Sequence, residues 1–368
     1  MSYEKSFSPL PPTRLIANPL YQVNLLIWML QPSTGAVVEP VLQKAGYRLL
    51  QIEPELSLPI ELVESLLKNG FAHSNPVNPD LLICSSATDY IPVECKSRMF
   101  GSQPQPGGGE SQIKQARSLL LLISPFLASA LALQPRSVAS SHVVYLAQHE
   151  PKIAQAEGLS NLSAELKKSG YRTIPFGLLG LSVKGNAIAL RGKYQHATLP
   201  GALDKRLGRR RITVQKIVDD QTDPRPLYYL PWMPDNPSED DEYSQQAFAN
   251  RILAAAVLQI GPRKIPCEIA LNVETLLGIA TYNLYSQWRD KDVRKRLQKR
   301  AKELLKKSLN KAVADLKLTS LEFPEKGWKF EIPDQKTYSR VIEGLRKGEY
   351  KDWNNPIPQR SLFDEEDE

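Results

Sequence analysis

Through the first two hundred residues, strand-length apolar runs alternate with segments at helical spacing. That alternation points to an α/β domain, a mixed sheet flanked by helices. Gly35 to Lys44 reads as a short helix and Tyr47 to Ile52 as a strand. Pro59 to Lys68 carries Ile60, Val63, Leu66 and Leu67 at helical spacing, and Asn69-Gly70 stops it. Leu81 to Cys84 and Ile91 to Ser97 are strands on either side of a turn-like Ser85 to Tyr90. Gly101 to Gly109 holds Pro104, Pro106 and three consecutive glycines and reads as a flexible loop. A long helix is expected from Glu110, a strand over His142 to Ala147, and a helix over Asn161 to Ser169. Leu178 to Leu190 reads as a strand pair turning at Lys184-Gly185-Asn186.

From Pro200 to Tyr243 prolines and charges dominate. The division expected is an α/β domain over residues 1–200, a basic and Pro-rich linker over 201–243, a mainly helical basic domain over 244–350, and an acidic tail over 351–368. In the third part, Gln245 to Gln259 and Asn272 to Leu309 read as helices, Gly327 to Ile332 as one strand and Tyr338 to Lys347 as one helix. A chain of 368 residues, 42% hydrophobic and 24% charged, belongs to the folded globular class, which excludes global disorder, collagen and a coiled-coil fibre. Cys84, Cys95 and Cys267 make no disulfide framework, and a reducing cytosol is the compartment that fits. The longest apolar stretch, Leu119 to Leu133, contains Ser124, Pro125 and Ser129 and is too short to span a bilayer, so it reads as a buried helix.

Charge is uneven. The formal net charge is +7, although the chain closes on Asp364, Glu365, Glu366, Asp367 and Glu368, so the body is more basic than the total. Cations cluster at Lys205, Arg206, Arg209, Arg210 and Arg211 and again along Lys291 to Lys311, where Arg294, Arg296, Lys299 and Arg300 lie beside an apolar stripe of Leu297, Leu304, Leu305 and Leu309. Such a helix suits either a polyanion such as DNA or plain solvent.

The strand over Ile91 to Lys96 carries the chemistry. Side chains alternate, so Ile91, Val93 and Cys95 share one face and Glu94 and Lys96 the other. A hairpin with the preceding strand brings Asp80 near Glu94. Two carboxylates converging beside a lysine make a hard-oxygen site suited to Mg²⁺ or Mn²⁺, because a divalent ion removes their mutual repulsion. Pro92, within the same strand, cannot donate to a ladder.

Pro79-Asp80 followed by Glu94-Cys95-Lys96 resembles the PD-(D/E)xK nuclease superfamily, the restriction-endonuclease-like fold. The resemblance covers residues 34–150 and rests on the motif and the order of elements. It implies that Asp80 and Glu94 hold a metal, that Cys95 lends its backbone carbonyl, and that Lys96 positions or deprotonates the attacking water. It also implies a further Glu from the first helix, with Glu39 the candidate ahead of Glu61 and Glu64, and a Gln on the following helix, Gln112 or Gln115. The Q-x-x-x-Y variant is absent, since Ala116 and Leu119 stand where Tyr would be needed.

The tail Gln359-Arg360-Ser361-Leu362-Phe363 resembles the bacterial sliding-clamp-binding peptide, with Gln359, Leu362 and Phe363 as the contact residues and Arg360 departing from the usual Leu. The alternative is a tail that docks Leu-Phe on its own domain. The function expected is a Mg²⁺-dependent DNA endonuclease of the cytoplasm, in a defence, mobile-element or repair setting, with no membrane association. Cleaving both strands of a duplex would require a homodimer or a partner protein. The rival expectation is a non-catalytic DNA-binding adaptor that keeps the nuclease fold and recruits partners.

Overall fold

The computed structural model describes residues 12–31, 38–85, 88–96, 109–148, 152–192, 194–208, 211–216, 242–288, 291–292, 294–299, 301–303, 305, 321–322 and 327–347. They fall into two compact units, one spanning Leu10–Leu230 with Ser286–Arg294, the other spanning Pro231–Tyr285 with Lys295–Glu368 and Met1–Pro9.

The first unit is a curled mixed sheet flanked by helices. Its strands are β1 (Tyr47–Ile52), β2 (Leu81–Ser85), β3 (Asp89–Lys96), β4 (Ser140–Ser141), β5 (Val143–Gln148), β6 (Phe176–Val183), β7 (Ala187–Arg191) and β8 (Ile212–Lys216). They run in the order β1-β2-β3-β5-β6-β7-β8, with the short β4 also beside β3. β1, β2 and β3 are antiparallel neighbours, β3, β5 and β6 are parallel, and β6, β7 and β8 are antiparallel. The parallel steps need crossover connections, which helices supply. These are α5 (Gly109–Leu120) and α6 (Ser124–Ala130) between β3 and β5, and α7 (Lys152–Lys168) between β5 and β6. At the curl, Val38 bridges to Gln215 on β8, just ahead of α3 (Val41–Lys44) and β1.

One face of the sheet packs on helices. Leu66 of α4 (Ile60–Lys68), Ala116, Leu119 and Leu120 of α5, Leu127 of α6 and Leu159 of α7 join Val143, Tyr145 and Leu178 in one buried cluster. α2 (Pro19–Leu30), which follows α1 (Pro12–Leu15), packs on β1 and β3. Asn18 starts α2 by accepting from the Leu20 and Tyr21 amides. α2 is buried almost all round, so it has no polar face to produce a helical period, and the sequence reading passes over it.

Several expectations shift. The long helix after Glu110 is two helices, because Ser124-Pro125 starts a new one, Pro being accepted in a first turn. The helix expected over Gly35 to Lys44 is, where described, only Val41–Lys44, since Val38 is engaged as a bridge. Residues 201–216, read as the start of a linker, carry α8 (Gly201–Leu207) and β8, which is hydrogen-bonded into the sheet.

The second unit contains α9 (Glu242–Ile260), β9 (Cys267–Asn272), α10 (Val273–Ala280), β10 (Leu321–Glu322), β11 (Gly327–Ile332) and α11 (Gln335–Lys347). Its strands form an antiparallel sheet ordered β10-β11-β9, so this unit is not purely helical. β11 alternates cleanly, with Trp328, Phe330 and Ile332 buried and Lys329 and Glu331 exposed. The continuous helix expected from Asn272 to Leu309 breaks after Ala280. Tyr282 and Asn283 take left-handed φ values of 51° and 65°, and the Asn283 amide bonds back to Gly278. Among the described residues, no helix is long and apolar enough to cross a membrane.

Candidate active site

The β2–β3 hairpin sets the site. Its register pairs Leu81 with Val93, so one step further Asp80 stands across from Glu94. On β3 the Tyr90 carbonyl accepts from the His142 amide, on the β4–β5 side. Alternate residues point the same way, so Pro92 directs its missing N–H there, between the stretch paired to β4 and the stretch paired to β5. The proline therefore falls at the break between those two stretches, where the ladder lacks one donor. Cys95 points its N–H the opposite way, beyond the end of β2, where it would be orphaned. The Asp80 carboxylate takes it, Oδ2 accepting at 2.6 Å.

Glu94 and Lys96 emerge together on the face covered by α5. Lys96 Nζ donates to Glu94 Oε1 at 2.6 Å and to Gln115 Oε1 at 2.8 Å. Gln115 in turn donates to the Asn78 carbonyl at 3.2 Å, tying α5 to the segment that leads into Asp80. Beneath, Gln22 of α2 donates to the Lys96 carbonyl at 3.2 Å. Glu94 is 4% exposed, and its second oxygen, Oε2, has no hydrogen-bond partner among the described residues.

Burial pushes the Asp80 carboxyl well above the usual carboxylate range, and the Glu94 charge adds to the rise; the Cys95 amide and Lys96 oppose it. Burial also raises Glu94, against the pull of the Lys96 ammonium. The Cys95 thiol is driven up by burial and then by the two carboxylates, which leaves it a neutral core group rather than a nucleophile.

The other residues read from the sequence divide. Gln115, not Gln112, meets the lysine, and the two are three residues apart on α5. Glu39 does not join the cluster: its amide bonds the Val214 carbonyl at the β8 side of the curl, and its carboxylate pairs with Lys44. The acid that does lie beside Asp80 is Glu53, which the sequence reading missed. Its amide donates to the Asp80 carbonyl at 2.9 Å, and its charge adds to the proton affinity of Asp80. An acidic residue directly after a strand and before Pro54 was the available signal. Arg211 is exposed ahead of β8. Arg294 is partly exposed and Arg296 and Lys299 are exposed on a helical stretch whose Leu297, Ala301 and Leu305 are buried. Arg209, Arg210, Arg300, Gln359, Leu362 and Phe363 lie outside the described residues.

Among the described residues, no three His, Cys, Asp or Glu side chains are gathered into a metal-holding group. What the hairpin assembles is two carboxylates with a lysine fixed beside them, an arrangement able to meet a cation and a polyanionic substrate at one point. No protein-family model, curated protein or solved structure matches the chain.

Proposed function

We propose that this chain is a divalent-metal-dependent DNA endonuclease whose first unit is restriction-endonuclease-like. The observation that carries the reading is Glu94: a nine-tenths-buried carboxylate with one oxygen on Lys96 and the other without a hydrogen-bond partner among the described residues, opposite a second carboxylate. A buried carboxylate oxygen without a partner is costly, and a hard cation relieves that cost for both acids at once. Mg²⁺ commonly uses only one or two protein carboxylates and keeps several waters, so Asp80, Glu94 and the Cys95 carbonyl are a sufficient donor set. When bound there, the ion supplies charge neutralisation at the scissile phosphate and acidifies the attacking water.

The chain's own groups do the rest. The Cys95 amide holds Asp80 Oδ2 in place. Glu94 and Gln115 hold Lys96 in one position, so its ammonium is pre-oriented to hydrogen-bond the water or a phosphate oxygen and to offset the negative charge that develops there. Arg294, Arg296 and Lys299 would contact the DNA backbone, and the tail at Gln359, Leu362 and Phe363 would recruit a sliding clamp.

The test is a cleavage panel over duplex, nicked, branched and single-stranded DNA and RNA, with Mg²⁺, Mn²⁺ or EDTA. Metal-dependent cleavage of a DNA form is expected, abolished by Asp80→Asn and by Lys96→Ala with DNA binding retained. A protein that binds DNA yet cuts nothing under any condition would make the non-catalytic adaptor the correct reading.

A further inference from the structure

Trp288 comes from far along the chain, yet it belongs to the first unit. It forms a parallel bridge with Ile52, the last residue of β1. β1 is an edge strand, and Trp288 and Ile52 are each 1% exposed, so the bridge closes that edge at one point.

The end of β1 is where Asp80 is tied. Ile52 pairs with Leu81, and the Glu53 amide bonds the Asp80 carbonyl at 2.9 Å. Glu53 sits at a left-handed φ of 48° immediately before Pro54. That conformation is disfavoured for a residue with a Cβ, and again for one that precedes proline. It persists only where surrounding structure holds it. The register of β1 also shifts between Leu49 and Gln51, so the strand end is re-aimed rather than simply continued.

We propose that Trp288 is a positioning residue for the catalytic carboxylate, bridging the end of β1 and so holding the turn to which Asp80 is bonded. The proposal rests on the nuclease reading of Asp80 and Glu94. It makes a residue far along the chain from the hairpin part of what sets the site. The ring's bulk is the functional property: the indole N–H finds no acceptor among the described residues, so phenylalanine can replace it without losing a hydrogen bond.

The experiment uses the full chain with Trp288→Ala, Trp288→Leu and Trp288→Phe. Mn²⁺ affinity is measured by electron paramagnetic resonance, the fold by circular dichroism, and cleavage as separate kcat and KM. Side chains that orient metal ligands typically contribute 10–100-fold in affinity, so Trp288→Ala is expected to weaken Mn²⁺ binding about 10-fold and to lower kcat with KM for DNA little changed. Trp288→Phe should restore both. If the alanine variant does not fold, the leucine variant carries the same comparison with a smaller loss. A folded alanine or leucine variant that binds Mn²⁺ like the wild type overturns the proposal, as does a phenylalanine variant no better than alanine. Wild-type protein that neither binds Mn²⁺ nor cleaves DNA would instead overturn the nuclease reading beneath it.

Discussion

Replacing Asp80 with Asn should destroy cleavage and, in metal-free solution, make the protein more stable. The amide keeps an oxygen to accept from the Cys95 N–H, so the hydrogen bond at the end of β2 survives. What disappears is one of two facing negative charges. Opposed side chains on paired strands have Cβ atoms about 5 Å apart. At an effective dielectric of about 20, two unit charges at that separation repel by roughly 3 kcal/mol. Lys96 already compensates Glu94, and Asp80 is only partly buried, so about 1–2 kcal/mol is the expected net gain. For a unit of this size that raises the melting midpoint by roughly 2–8 °C.

The pH dependence follows from the direction of the Asp80 shift. Its folded-state proton affinity is raised, so its contribution to stability is complete below the unfolded-state carboxyl range and is lost as pH rises through the folded value. Asparagine does not titrate. The advantage of the variant should therefore be larger at pH 8 than at pH 5, measured by thermal melts in EDTA. Adding Mg²⁺ should stabilise wild type by about 2.7 kcal/mol at a hundred times its Kd and should leave Asp80→Asn nearly unchanged. A variant that melts below wild type at pH 8 in EDTA, or a gap that does not move with pH, would refute the picture of two facing, repelling carboxylates.

Gln115→Ala removes one of the two groups that fix the Lys96 ammonium and should lower kcat by about 10-fold with metal binding kept, whereas Gln112→Ala should have little effect in the same assay. Gly327→Ala should unfold the small sheet of the second unit, because a Cβ there would run into the Leu271 carbonyl oxygen; loss of more than about 3 kcal/mol in denaturant melts is expected. Asn18→Ala should cost about 1 kcal/mol by uncapping α2, read from the shift in urea midpoint. Lys299→Glu should flatten the dependence of DNA affinity on salt, since each phosphate contact contributes about one unit of slope.

The hairpin is legible in the sequence because it is local. Two apolar runs separated by a short turn have few registers available, and the one that buries Leu81, Ile83, Ile91 and Val93 also sets Asp80 opposite Glu94. Strand parity placed Glu94 and Lys96 on one face for the same reason. α5 was legible as a helix, but which of Gln112 and Gln115 meets the lysine depends on how that helix is rotated against the sheet. That rotation is set by Ala116, Leu119 and Leu120 packing on distant residues. Nor did α2 announce itself, since a segment buried on every side has no amphipathic signature.

The sequence alone thus determined the two carboxylates, the lysine, their order along one hairpin and the α/β alternation around them. Each follows from side-chain alternation and short-range chain connection. Only the tertiary structure decided the supporting cast. It exchanged Glu39 for Glu53, chose Gln115, drew β8 into the sheet and brought Trp288 back to the end of β1. Those choices are made by packing and backbone pairing between segments far apart in the chain, and no local pattern records them.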